Sequence, residues 1–367
     1  MTLPQTMRGM VLTGHGGLEK LEWREDLAVP NPGADEVLIR VAASSVNNTD
    51  INTRTGWYSK SVRGDTASGA TQGYGAAADA DGGWSGVAFS FPRIQGADCC
   101  GEIVAAGAAV PAARIGERVL VRALQSTASP GSGPATATFG SECDGAFADY
   151  ALARSEDAIA VRSDLSDVEL ASFPCAFSTA EGMVQRGGLG AERVLITGAS
   201  GGVGSAAIQL AKRRGAEVTA LTSASKADEL RALGADVTLD RDAPLPEHGF
   251  DIVLDLVGGP RWPDLVGGPR WPDLIDALCD GGRYVTAGAI AGPIVELDLR
   301  TLYLRDLSFF GCTHQPANVF TDLVRYIEAG EIRPTVAQTY GLADLRAAQE
   351  AFLTKSHVGK IGIRVHD

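Results

Sequence analysis

The stretch Val194-Leu195-Ile196-Thr197-Gly198-Ala199-Ser200-Gly201-Gly202-Val203-Gly204, running on into SAAIQLAKRRG, constrains this 367-residue chain more than any other. A short run of branched apolar residues that breaks into closely spaced glycines predicts a strand, a tight turn and a helix. Around it, strand-like runs alternate with helical ones: RVLITG (193–198), GGVGSAAIQLAKRRG (201–215), EVTALTS (217–223), KADELRALGA (226–235), FDIVLDLVGG (250–259) and RYVTAGA (283–289). That alternation means βαβ units and a parallel sheet. The strand cores are nearly continuous Val, Ile and Leu, as expected where helices cover both faces.

In such a unit the glycines let the chain turn tightly, admit a pyrophosphate against the backbone and bring helix close to strand. The helix N-terminus then offers unpaired N–H groups and a positive dipole end to phosphate. The pattern here is AxGxxG, with the small Ala199 where the dinucleotide fingerprint has its first glycine, and the predicted cradle is Gly198, Ser200, Gly201, Gly202, Val203 and Gly204. About twenty residues on, NAD sites carry an acid for the ribose 2′-OH. Here that place is Leu221, within ALTSASK, and no acid stands there. Ser223, Ser225 and Lys226, with Arg241 from the following strand end, can instead donate to a 2′-phosphate. The expected cofactor is NADP(H).

The rest of the chain has a different texture. Residues 10–45 alternate apolar and polar in short runs that suit antiparallel strands, and 101–122 is another β-rich stretch. Residues 59–90 are rich in Gly, Ala, Ser and Asp and form a long excursion, while 124–144 reads as a loop. After LSFFGCT (307–313) come helical stretches near 318–329 and 342–354, then a strand-like GKIGIRV (359–365). The expected layout is α/β: a discontinuous β-rich domain of residues 1–160 and 307–367, around a doubly wound domain of residues 161–306. VGGPRWPDL occurs at 257–265 and again at 266–274, with Pro263 and Pro272 breaking any continuous helix, and reads as a tandem duplication absorbed in a loop. Lys plus Arg number 32 against 45 Asp plus Glu, which excludes a nucleic-acid binder working by phosphate neutralisation. The six cysteines show no disulfide spacing, and no leader or spanning segment is visible, so a soluble, reducing, cytoplasmic setting is expected.

The segments SSVNNTD (44–50), GADCCGEIVAAG (96–107), IGERV (115–119), CAFSTAEGM (175–183), DLVGG (255–259), GGRYVTAGA (281–289) and HVGKIGIRV (357–365), together with the GASGGVG turn, resemble the medium-chain dehydrogenase/reductases. The resemblance implies a GroES-like catalytic domain beside a Rossmann domain. Zinc enzymes of that superfamily ligate the metal through Cys, His and Cys; the corresponding positions here hold Asn47, Ala97 and Cys175, and no four-cysteine structural lobe is present. Three protein ligands are needed, so the chain resembles the zinc-free quinone oxidoreductases and related enone reductases, and no metal is expected. The resemblance places Asn47 and Thr49 at the substrate carbonyl, with Thr179, Gly258, Ala287 and Gly288 beside the cofactor, and implies a homodimer. Asn47 and Asn48 are equally suited to plain turn and capping chemistry. Trp57 and Tyr58 are expected in the pocket wall or the core, Cys99 and Cys100 in packing, and His15 and His314 in structural or exposed roles; the 59–90 excursion is a candidate lid. The competing readings are a zinc alcohol dehydrogenase using Asp98 and Cys175, and a nucleotide-binding protein without turnover.

Overall fold

The computed structural model describes residues 3–75, 80–126, 136–259 and 271–366. The first domain opens with β1 (Thr6–Leu12), β2 (Leu21–Ala28) and β3 (Glu36–Val46), then α1 (Asn48–Thr55) and the single turn α2 (Thr66–Gly69). It continues through β4 (Arg93–Ile94), β5 (Cys100–Ala106), β6 (Arg118–Val121), β7 (Leu124–Ser126), β8 (Thr136–Thr138), β9 (Tyr150–Arg154) and β10 (Ala158–Ala160). Helices α3 (Asp167–Leu170) and α4 (Pro174–Arg186) lead into the second domain. There β11 (Arg193–Ile196), α5 (Gly202–Arg213), β12 (Glu217–Thr222), α6 (Ala227–Ala232), β13 (Val237–Asp240) and β14 (Phe250–Asp255) follow in turn. Then come α7 (Trp271–Asp276), β15 (Leu278–Thr286), α8 (Leu299–Leu304), β16 (Ser308–Gly311), α9 (Ala317–Glu328), β17 (Val336–Gly341), α10 (Leu345–Leu353) and β18 (Lys360–Arg364).

The second domain is a six-stranded parallel sheet in the order β13-β12-β11-β14-β15-β16. Neighbouring residues of one strand bury on opposite faces. Val194 and Ile196 join the cluster under α4, α5 and α9, while Leu195 joins Val253, Trp271 and Tyr284 on the other side. That is why these strands read as unbroken apolar runs. The parallel sheet runs through β16 to Gly311, so the expected domain boundary at residue 307 falls one strand early.

In the first domain a seven-stranded sheet holds β18 between β3 and β17, so the chain does return to where it began. Segment 124–144, expected as a loop, carries the β7–β8 ladder at its ends, and residues 127–135 lie outside the described residues. Of the duplicated nonapeptide, residues 260–270, Pro263 among them, also lie outside; Pro272 sits in the first turn of α7, where its missing N–H costs nothing. Among the described residues no helix is long and apolar enough to cross a membrane. All six cysteines are free thiols.

Candidate active site

One cleft between the domains collects most of the expected residues: Asn47, Thr49, Thr179, Gly198, Ser200, Gly201, Gly202, Val203, Gly204, Lys226, Arg241, Gly258, Ala287 and Gly288 all line it. Ser223 does not; its hydroxyl faces Ser225 at 3.2 Å on the exposed rim.

The glycine-rich turn has the shape a pyrophosphate requires. Gly198 adopts φ +58°, which favours glycine. A Cβ on Gly204 would lie 2.3 Å from the Gly198 carbonyl oxygen, so α5 packs closer to β11 than any side chain permits. Gly201 is different. Its φ of −75° suits any residue, it is exposed, and its Cβ would meet nothing nearer than 3.5 Å. Its smallness therefore serves the cleft, not the fold. No side chain caps α5, which leaves its first N–H groups to an anion.

The far wall is set by Asp255, fully buried at the end of β14. Its Oδ1 accepts from Thr197 Oγ1 (2.6 Å) and Val257 N (2.9 Å), and its Oδ2 from the Tyr284 hydroxyl (2.5 Å). These bonds shape the turn in which Gly258 takes φ +60° against Ala289. Further along the cleft, at the end of β12, Leu221 and Thr222 form the wall. Lys226 is buried beside Arg241, and burial together with the Arg241 charge lowers its pKa. Among the described residues neither side chain forms an ion pair, although the charges of Glu229, Asp240 and Asp242 bear on this corner.

On the first-domain side of the cleft Asn47 stands at the N-cap position of α1, where its backbone N–H donates to Asp50 Oδ2 at 2.8 Å. Its side chain does more. Nδ2 donates to Asp98 Oδ2 (2.7 Å) and to the Ser45 carbonyl (3.3 Å), and Oδ1 accepts from Lys360 Nζ (2.5 Å). Flipping the amide would turn Nδ2 onto an ammonium and Oδ1 onto a carboxylate, so the orientation is forced. Both amide protons are committed inside the protein. Asp98 also takes Lys360 Nζ at 3.0 Å, the Ser45 hydroxyl, and at Oδ1 the Cys175 N–H at 2.7 Å. Asp98 and Lys360 are 0% and 3% exposed, a buried ion pair with its remaining lone pairs satisfied.

This arrangement does not fit a catalytic zinc. Of the three ligand positions only Cys175 offers a zinc donor, and burial together with the Asp98 charge raises its thiol pKa well above the usual value. Asp98 is already saturated, and the cation it faces is an ammonium. Among the described residues no three His, Cys, Asp or Glu side chains gather as a metal group.

Thr49 Oγ1 accepts from the Tyr58 hydroxyl at 3.3 Å, and burial pushes the Tyr58 pKa up to about 12, which keeps the phenol protonated. Thr179 Oγ1 donates to the Cys175 carbonyl at 2.7 Å and faces the cleft. Trp57 and Trp84 add apolar wall. The 59–90 excursion, from which Trp84 comes, is tied across the cleft by Thr66 N donating to the Ile290 carbonyl at 3.0 Å. His15 packs against Phe89 and Phe91 and meets the Thr53 carbonyl, His314 is exposed, and Cys99 and Cys100 are buried. Sequence reasoning missed Lys355 and Lys360. The available signal for Lys360 was a lysine, buried in the fold, opening the apolar run Ile361-Gly362-Ile363.

The alcohol dehydrogenase GroES-like domain model matches residues 33–163, and the zinc-binding dehydrogenase model matches residues 227–361. A solved Sinorhizobium meliloti structure, assigned as an alcohol dehydrogenase, is 41% identical with TM-score 0.85, covering 99% of this chain and 97% of its own. A cobalt- and zinc-bound thermostable alcohol dehydrogenase from Pyrobaculum aerophilum is 31% identical with TM-score 0.78, covering 98% and 100%. Among curated proteins, the chloroplastic NADPH-dependent alkenal/one oxidoreductase of Arabidopsis thaliana is 25% identical, over 91% of this chain and 73% of its own length. With both domains matched and a 41% identical structure spanning nearly the whole length, the chain belongs to the medium-chain dehydrogenase/reductase superfamily of oxidoreductases.

Proposed function

We propose that the chain reduces an electron-poor acceptor, a quinone or an α,β-unsaturated carbonyl, with NADPH and without a metal. The observation that carries this reading is the Lys360–Asp98–Asn47 network at the zinc-ligand positions. A simple alcohol needs a Lewis acid to release hydride near neutral pH, whereas a conjugated carbonyl needs only hydrogen-bond donors for its developing oxyanion. The alkenal/one oxidoreductase relative has an acceptor of that kind and the same phosphorylated cofactor.

NADPH, when bound, supplies the hydride. The residues do the rest by position. The N-terminus of α5 holds the diphosphate, and Lys226 with Arg241 takes the 2′-phosphate. Thr49 and Tyr58 present the hydroxyl pair nearest the acceptor oxygen, and the Tyr58 phenol holds a proton at Oη for the reduced product. Asn47, expected at the carbonyl itself, acts one step behind: its amide ties the Thr49 loop to the ion pair. Trp57 and Trp84, the latter from the described part of the excursion, wall the acceptor side against water.

The same reading includes a homodimer and a reducing, cytoplasmic setting. Ile294, Leu299, Tyr303 and Leu304 are 50%, 66%, 63% and 70% exposed beside the free edge of β16, an apolar surface suited to a second copy. The test is NADPH oxidation followed against quinones, enones and simple ketones, with metal analysis of the same sample. Turnover confined to electron-poor acceptors at sub-stoichiometric metal supports the proposal. Tight NADPH binding without oxidation by any of them, or activity lost with a stoichiometric metal, overturns it.

A further inference from the structure

The segment joining α10 to β18, residues 354–359, crosses the cleft from the first domain against the second. Lys226 Nζ donates to the Lys355 carbonyl at 2.6 Å, and Gly359 N donates to the Ser200 carbonyl at 2.9 Å. The segment is thus tied to the 2′-phosphate corner at one end and to the glycine-rich turn at the other. Between those ties the Lys355 side chain lies in the cleft wall, its ammonium 3.2 Å from Asn48 Oδ1 and 3.5 Å from the centroid of the Phe352 ring. The charges that bear most on it are those of Lys226 and Lys360, and among the described residues its ammonium makes no ion pair. A half-buried ammonium held among like charges is costly. Its neighbours explain why it is there: it stands on the line between two phosphate-binding features and reaches toward the catalytic loop.

We propose that Lys355 is a clamp from the catalytic domain onto the diphosphate bridge of the dinucleotide, facing the α5 N-terminus across the cleft. The idea rests on the cofactor reading above and adds to it. One ligand then bonds both domains at once, and the nicotinamide end is fixed relative to Thr49 and Tyr58. A diphosphate carried by a nucleotide-linked acyl thioester offers the same chemistry, so the test separates the two sources.

Protonation supports the geometry. Burial, then the charges of Lys226 and Lys360, push Lys355 down to about 7. His357, on the same segment, is pushed down to about 4 by burial and by the charges of Lys355, Lys226 and Lys360. At pH 8 Lys355 is therefore mostly neutral, and a bound diphosphate restores its proton.

The experiment is isothermal titration of the intact protein with NADPH and with NADH, for wild type, Lys355→Met and Lys355→Arg, at pH 8 in buffers of different ionisation enthalpy. Loss of one charge-assisted hydrogen bond predicts that Lys355→Met weakens both dinucleotides alike, by about tenfold. Lys355→Arg keeps most of the affinity. Wild type takes up protons on binding and Lys355→Met takes up fewer. An unchanged unfolding midpoint for unliganded Lys355→Met separates a lost contact from a lost fold. Equal affinity in wild type and Lys355→Met overturns the clamp, and a loss confined to NADPH assigns the lysine to the 2′-phosphate instead. Unchanged dinucleotide affinity with a raised KM for an acyl thioester assigns it to the acceptor. Wild type that binds neither dinucleotide refutes the cofactor reading and the clamp together.

Discussion

Lys360→Met removes the positive half of a pair that is 0% and 3% exposed, and leaves Asp98 buried with three donors: the Ser45 hydroxyl, Asn47 Nδ2 and Cys175 N–H. Breaking a buried pair by removing one partner costs about 3–5 kcal/mol, because the remaining charge is uncompensated. Three hydrogen bonds to the carboxylate keep the cost near the lower figure, so we expect a loss of about 3 kcal/mol at pH 8. Lys360→Met/Asp98→Asn removes both charges and should cost well under the sum of the two single changes. Urea unfolding of the four proteins at pH 8 measures both effects. A Lys360→Met protein as stable as wild type, or strictly additive single changes, would refute the reasoning.

The cofactor corner yields a second expectation: Lys226→Glu should weaken NADPH by about a hundredfold while NADH changes little, measured by fluorescence titration; equal losses would place the 2′-phosphate elsewhere. Gly201→Val should abolish dinucleotide binding with an almost unchanged melting temperature, because Gly201 lines the cleft and a Cβ there would meet nothing nearer than 3.5 Å. Gly204→Val, by contrast, should fail to fold, since its Cβ would lie 2.3 Å from a backbone oxygen. Trp84→Ala should raise the acceptor KM severalfold and leave NADPH affinity alone, with steady-state kinetics as the check; an effect on NADPH alone would remove the excursion from the acceptor side. Leu304→Glu should turn a dimer into a monomer in light scattering.

The doubly wound domain was legible because its signals are local. Val194 to Gly204 carries strand, turn and helix in one contiguous stretch, and the missing acid near Leu221 can be read at a fixed distance from the glycines. The first-domain side of the cleft was legible only in part. Asn47 and Thr49, picked out from the sequence, do line the cleft, but which partners the Asn47 amide would meet depends on Asp98 and Lys360, and Lys360 lies 313 positions away. No periodicity reports a contact of that range, and a lysine at a strand end usually reads as a solvated charge. The boundary at residue 307 slipped for a similar reason: β16 is four residues long, and only pairing with β15 identifies it as part of the parallel sheet.

The place of β18 between β3 and β17 has a consequence for how the protein is made. A nascent chain emerging from the ribosome can complete the βαβ units of its second domain from neighbouring segments, while β3 still waits for the strand that will lie beside it. Until residue 360 appears, Asp98 has no counter-charge and the loop carrying Thr49 has no anchor. The half of the molecule synthesised first is therefore the half that matures last, and chaperone contacts during biosynthesis should concentrate on its open seam.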